Sequence, residues 1–162
     1  LSDLYIDETL ILNDLHAADA DEALRTMALN LYDHGLVKES YIQAVINREQ
    51  EFATGLPTKG PAVAIPHTNK EHVHQKTLSI GVLATPVPFG IMGEESETVP
   101  VELVFMLAMD DEHSQLSMLQ QLMAIFQDEQ QLSFFKNTND KTKQKEALID
   151  ALSLSRQGGE TR

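Results

Sequence analysis

Apolar positions recur along this chain with two periods, and each change of period marks an element. From Asp19 to Gly35, Leu24, Met27, Ala28 and Leu31 fall at helical spacing. Acids occupy the first turn and a glycine stands where a left-handed stop is needed, so the pattern predicts an amphipathic helix. A second helix is expected from about Ser40, because Ile42, Val45 and Ile46 share a face, and it should end before Gly55 and Pro57. Near its end Arg48 falls beside the arc of Ile42, Val45 and Phe52, at the boundary between buried face and solvent. A guanidinium there can project from the rim of the core.

The following runs change to strand character: "AVAI" at 62–65, "TLSIGVLA" at 77–84 and "VELVFMLAM" at 101–109. The third is too continuously apolar for a half-solvated edge. Pro86, Pro88, Gly90 and Gly93 punctuate the connection between the second and third, which predicts a hairpin-like excursion and not a helix. "SQLSMLQQLMAIFQD" then places Leu116, Leu119, Leu122, Met123 and Phe126 on one broad helical face, capped by Ser114 or Asp111, with the methionines of 101–126 assigned to the core. A short helix around 129–136, a polar break at "NTND" and a last helix through Ala147, Leu148, Ala151 and Leu152 follow. Residues 1–154 read as one domain, and 155–162, "SRQGGETR", as a disordered tail. The fold class expected is α/β, a mixed β-sheet covered by helices in a single-domain sandwich.

Topology adds a constraint. The connections between successive strands are too short and broken for helical crossovers, so two reversals make the first and third strands parallel. The loops leaving them carry His67 and His113 to one edge of the sheet, where ligand and catalytic groups of open α/β sheets gather.

Composition narrows the function classes. A formal net charge of −13, with no compensating cluster of Lys and Arg, opposes a nucleic-acid backbone and favours a protein partner with a basic face. No apolar run approaches the ~20 residues of a membrane span. Acids at the N-terminus, where a secretory leader carries basic residues, and the absence of cysteine set a cytoplasmic expectation. Histidine is left as the soft nucleophile.

Six histidines are present, three of them in "AVAIPHTNKEHVHQ". His67 follows Pro66, whose fixed φ stiffens the lead into the loop. A neutral imidazole there can attack an electrophile such as phosphorus, or it can be a half-buried loop residue. His72 and His74 form an H-x-H pair that, with His67, could grip a metal; solvated loop histidines are the plainer reading. His16 and His34 read as surface residues. His113 lies between "DDE" and a helix start, where free backbone N–H groups can hold an anionic oxygen, or where polarity simply suits the helix end. Arg48 is either an exposed partner for a nearby acid or a fork that holds two phosphoryl oxygens. "TGLP" at 54–57 is most simply a glycine-enabled bend.

Taken together, "INREQEFATG", "AVAIPHTN" and "DEHSQLSMLQQLM" resemble the soluble enzyme IIA components of the bacterial sugar phosphotransferase system, in the fructose, mannitol and galactitol branch. The resemblance runs from the first helix to the last, and "REQEFATG" looks most like the galactitol members. It implies an α/β sandwich and a phosphotransferase component with a phosphohistidine intermediate. His67 would accept phosphate from the phosphocarrier protein HPr and pass it to a sugar-specific enzyme IIB, supported by Arg48 and His113 as the other two catalytic residues. No metal and no cofactor are implied. Thr68 stands where a glycine commonly follows the histidine, either donating to the phosphoryl group or narrowing the loop. Two alternatives remain open at this point: a regulatory IIA-like domain that signals its phosphorylation state to a protein target, and a metal-dependent hydrolase built on His67, His72 and His74.

Overall fold

Along residues 103–108, side chains alternate between two buried layers. Leu103, Phe105 and Leu107 join one core, Val104, Met106 and Ala108 the other. A strand sends successive side chains to opposite faces, so an unbroken apolar run is stable only where both faces are covered. In the computed structural model, which describes residues 3–160 and side chains through Ser153, that strand lies inside a mixed five-stranded sheet with helices on both faces.

The elements are β1 (Ile11–Leu15), α1 (Ala20–Asp33), α2 (Ser40–Glu51), β2 (Gly55–Leu56), β3 (Ala62–Ala64), β4 (Thr77–Ile91), β5 (Glu94–Ala108), α3 (Glu112–Ile125), α4 (Glu129–Asn137) and α5 (Lys141–Glu160). β4 and β5 form a long antiparallel hairpin turning at Met92 and Gly93, Gly93 taking the positive φ of 77° that the turn requires. β3 runs parallel to β5, as two reversals demand, and β1 runs parallel to β4. β2 pairs with β3, and its Gly55 also bridges to Ile91, so the far end of the hairpin curls against the turn before β3.

α1 and α2 cover one face. Leu24, Met27, Ala28 and Leu31 of α1 and Tyr41, Val45 and Ile46 of α2 are fully or almost fully buried there, each large apolar side chain contributing about 1.5–3 kcal/mol. Asp19 caps α1 by accepting from Glu22 N–H, and Gly35 ends it with φ of 73°, while Leu36 N–H returns to the Leu31 carbonyl. The other face is covered by α3, α4 and α5, whose Met118, Leu122, Phe126, Leu132, Phe135 and Leu148 pack on Phe105 and its neighbours.

The Pro- and Gly-punctuated stretch forms a hairpin and not a helix, as expected: β4 and β5 themselves continue through it, and a register irregularity between Val82 and Val87 accommodates Pro86. Other expectations need correction. Leu116 and Met123 are exposed, not core, because they lie about 100° or more round α3 from the Met118–Leu122 stripe that faces the sheet. Phe52 is 54% exposed: α2 stops at Glu51, and Phe52, with φ −129° and ψ 89°, no longer follows the helical wheel. The α5 backbone runs to Glu160, Thr161 and Arg162 lying outside the described residues. Among the described residues no helix is long and apolar enough to cross a membrane.

Candidate functional site

Beyond β3 the chain stays tied to β5, since Leu107 N–H donates to the Pro66 carbonyl at 3.0 Å and Tyr41 Oη–H donates to the Leu107 carbonyl at 2.8 Å. Pro66 is therefore anchored to the sheet, and the residue after it emerges from a rigid base. That residue is His67, 8% exposed, with Thr68 buried behind it. His67 Nδ1 lies 2.8 Å from the Ile65 carbonyl oxygen. A carbonyl only accepts, so Nδ1 carries the proton and Nε2 the lone pair.

Burial lowers the affinity of this ring for a second proton, and the nearby Arg48 guanidinium lowers it further, while the bond to Ile65 works the other way; the pKa falls below the ordinary 6.5. A neutral imidazole with a free Nε2 is what a nucleophile at neutral pH requires.

Arg48 sits half-buried in the last turn of α2, its Cζ 4.9 Å from the centre of the Phe52 ring. The exposed ring is a shelf under the guanidinium. Arg48 Nε is buried without a hydrogen-bond partner among the described residues. An orphan cationic donor is costly unless an oxyanion meets it.

The next residue points inward. Glu49 is 7% exposed; its Oε2 accepts from Thr54 N–H and its Oε1 from the Thr54 hydroxyl, both at 2.7 Å. Thr54 Oγ1 in turn accepts from Ile65 N–H at 3.1 Å. These bonds fasten the end of α2, which bears Arg48, to the end of β3, which bears His67. Sequence reasoning saw only a bend at 54–57; the signal for more was the acid beside the arginine, five residues before a threonine.

His113 is exposed in the first turn of α3. Asp111 caps that helix, accepting from Ser114 N–H at 2.7 Å and from the Ser114 hydroxyl at 2.8 Å, and these bonds with Lys76 lower its pKa to about 2. A small cleft of about 150 Å³, lined by Asn69, Lys70 and Glu71 on one side and Asp111, Glu112 and Gln115 on the other, shows the His67 loop lying alongside the start of α3. Parallel β3 and β5 thus deliver His67 and His113 to one sheet edge, although no hydrogen bond joins the two rings among the described residues.

The metal set does not form. Among the described residues no three His, Asp or Glu side chains converge as ligands. His72 sits at the end of a short 3-10 turn with Nδ1 2.8 Å from Ser40 Oγ, and His74 is exposed. His16 and His34 are on the surface.

Residues 4–151 match the family described as "Phosphoenolpyruvate-dependent sugar phosphotransferase system, EIIA 2". The chain belongs to this family. Phosphoryl transfer within the sugar phosphotransferase system is the work of its members, and the chain is a phosphotransferase component of that kind. Among its relatives are the multiphosphoryl transfer protein of Escherichia coli O157:H7, 32% identical over 124 residues, and the galactitol-specific EIIA component of Escherichia coli K12, 33% identical over 103. The first alignment covers 74% of this chain and 31% of the relative, the second 62% and 67%. The chain thus spans about a third of the length of the first. The mannitol enzyme IIA of Escherichia coli, solved in complex with phosphorylated enzyme IIB, has the same fold, with a TM-score of 0.71, 23% identity, and 93% of this chain and 98% of that one covered. The EIIA fold accounts for the sheet and helices described above.

Proposed function

We propose that His67 is the phosphohistidine intermediate of this EIIA chain, taking a phosphoryl group from phosphorylated HPr and handing it to a sugar-specific enzyme IIB. The observation that carries this reading is the His67 ring, neutral and with Nδ1–H spent on the Ile65 carbonyl, beside a guanidinium whose Nε has no partner among the described residues.

In the transfer, the Nε2 lone pair attacks phosphorus as the bond from phosphorus to the donor's imidazole nitrogen breaks, and that electron pair returns to the donor ring. No proton need move. Positive charge that develops on the His67 ring is met by the Ile65 carbonyl, to which Nδ1–H already donates. Arg48 stabilises the equatorial oxygens, where charge gathers in phosphoryl transfer. His113, at the start of α3, supplies a further donor to a phosphoryl oxygen. The reverse sequence on Nε2 passes the group on to enzyme IIB.

The formal charge of −13 favours encounter with basic partner faces, and the reading implies a cytoplasmic address. The relatives at 32–33% identity include a galactitol-specific component and a multiphosphoryl transfer protein, so the sugar is not read from identity. A regulatory role has behind it a fold likeness at 20% identity to a nitrogen regulatory IIA from Neisseria meningitidis, and ranks second.

The test is incubation with phosphorylated HPr followed by phosphopeptide mapping. An acid-labile, base-stable label on the peptide carrying His67 is expected. Stoichiometric labelling of His67→Ala would overturn the assignment.

A further inference from the structure

We propose that Glu49 is a positioning residue for phosphoryl transfer, acting through Thr54 and the backbone of Ile65 to hold the His67 imidazole in the tautomer that leaves Nε2 as nucleophile. The inference rests on the function proposed for His67 and adds to it a residue that touches neither the ring nor the phosphoryl group.

Direction is fixed at every link. The imidazole Nδ1–H donates to the Ile65 carbonyl at 2.8 Å, Ile65 N–H donates to Thr54 Oγ1 at 3.1 Å, and the Thr54 hydroxyl donates to Glu49 Oε1 at 2.7 Å. All three donors point toward the carboxyl group, and Thr54 N–H adds a fourth at Oε2, 2.7 Å away. An ionised carboxylate accepts on both oxygens and closes this chain. A protonated or amide group in its place can present a donor to Thr54 Oγ1 where the carboxylate accepted. The Thr54 hydroxyl proton must then turn away, and its oxygen is shared between that donor and Ile65 N–H, which weakens the Ile65 bond. Ile65 is the shared residue, so loosening its N–H anchor loosens the aim of its carbonyl, and with it the tautomer of His67.

A staple for the 49–54 turn alone needs only the two bonds from Thr54 to Glu49. The bond from Ile65 goes further, because it couples that turn to β3 and the residue that bears the ring acceptor. The same helix end presents Arg48, so one carboxylate sets the nucleophile and the guanidinium relative to each other.

Burial raises the Glu49 carboxyl to about 7, against the lowering effect of both Thr54 bonds. Arg48 precedes it on the same helix, and the charged groups that share its cleft are Glu51 of α2, Asp21 of α1, and Glu94, Glu95 and Glu97 of β5. His67 stands at the far end of the chain of bonds. Burial favours the protonated form, so the carboxylate that closes the chain is fully present only on the alkaline side of neutrality.

Two measurements test this on the full chain. The first is the 15N spectrum of the His67 ring in unphosphorylated protein, in mildly alkaline buffer. The second is the pH profile of phosphoryl uptake from phosphorylated HPr. Wild type should show Nδ1 protonated and Nε2 bare, with uptake rising through neutrality. Glu49→Gln and Thr54→Val should show mixed tautomers and uptake slower by about 10-fold or more, with the neutral limb missing from the Glu49→Gln profile. Thr54→Ser should restore both readouts. Folded Glu49→Gln and Thr54→Val proteins with a wild-type tautomer and pH profile overturn the proposal. Should Glu49→Gln not fold, the Thr54→Val and Thr54→Ser pair decides the question in the same way. If wild type takes up no phosphoryl group, the function proposed above fails, and the tautomer measurement alone still settles whether Glu49 positions the ring.

Discussion

His67 donates its Nδ1–H to the carbonyl oxygen of Ile65, two residues earlier, at 2.8 Å. The bond ties the side chain to the backbone that follows β3. It makes Nε2 the only ring nitrogen with a lone pair for an electrophile. The expected product is therefore Nε2-phosphohistidine, read by 15N–31P correlation in the phosphorylated protein, and a phosphorus–Nδ1 linkage would contradict it. Substituting His67 by Ala removes the nucleophile and should abolish uptake.

Arg48 holds its guanidinium over the Phe52 ring with Nε unpartnered among the described residues. A lysine at 48 keeps the charge but loses the fork and the stacking. Arg48→Ala should lower the rate of phosphoryl uptake by about 10²-fold or more, with Arg48→Lys recovering only part of it. Phe52→Ala, which removes the shelf and leaves the charge, should cost less than either. Stopped-flow uptake with phosphorylated HPr gives the ranking, and an Arg48→Lys rate equal to wild type would show that charge alone suffices.

His113 is exposed, and its helix is capped by Asp111 and not by the imidazole itself. Removing the ring should therefore leave the fold intact. His113→Ala is expected to keep the wild-type melting temperature while slowing uptake, by less than His67→Ala does. Uptake at the wild-type rate would remove His113 from the site.

Much of this could be read from residue order, for identifiable reasons. β5 was legible because burial on both faces demands an apolar residue at every position, and Val101 and Leu103 through Met109 satisfy that. The parallel relation of β3 and β5 followed from counting reversals, which needs no side-chain detail. β1 was not legible: "ILNDL" is short, its pairing with β4 is irregular between Leu12 and Leu15, and Asp14 takes a positive φ of 53°. β2 has two residues and exists only because β3 and the end of β4 are there to pair with it. Pro86 and Pro88 looked like punctuation, yet Pro86 falls within a register irregularity and Pro88 pairs with Pro100, so the strand continues past them. At the site, His67 and Arg48 stood out by residue type. The link from Glu49 to Thr54 to Ile65 did not, since it depends on a turn and a strand end meeting in space.

The buried Glu49 also makes a stability claim. Its carboxyl is raised from 4.5 to about 7, so between those values the native state holds a proton that the unfolded chain has released. Stability then falls as pH rises through that window and levels off above it, by a total on the order of 3 kcal/mol. His67, lowered from 6.5, acts in the opposite sense: the unfolded chain protonates first as pH falls below that value, and stability falls with it. Comparing wild type with Glu49→Gln isolates the first effect. Urea unfolding across pH should show the difference moving in favour of the variant up to about 7 and constant beyond. A difference independent of pH would mean that the carboxyl is not raised.

Gly55 and Gly81 both lack room for a side chain, but for different reasons, and this separates two substitutions that look alike. A Cβ at Gly55 would fall against the carbonyl oxygen of Gly90, with Val99 Cγ1 and Phe89 Cβ at 3.1 and 3.2 Å. A backbone carbonyl held in the β4–β5 hairpin cannot withdraw without breaking the pairing of Gly55 with Ile91 and Ala64. At Gly81 the nearest atoms are Met27 Sδ at 2.7 Å and Leu15 Cδ2 at 3.0 Å, the ends of side chains that can rotate away. Gly55→Ala should therefore cost about 3 kcal/mol and Gly81→Ala about 1 kcal/mol, as measured by chemical denaturation. Gly55 follows Thr54 directly, so its displacement pulls on the bonds to Glu49 and Ile65 as well. Phosphoryl uptake should fall in Gly55→Ala even where the protein is fully folded, and should stay near wild type in Gly81→Ala. Equal uptake in the two variants would show that the turn before β3 can shift without disturbing His67.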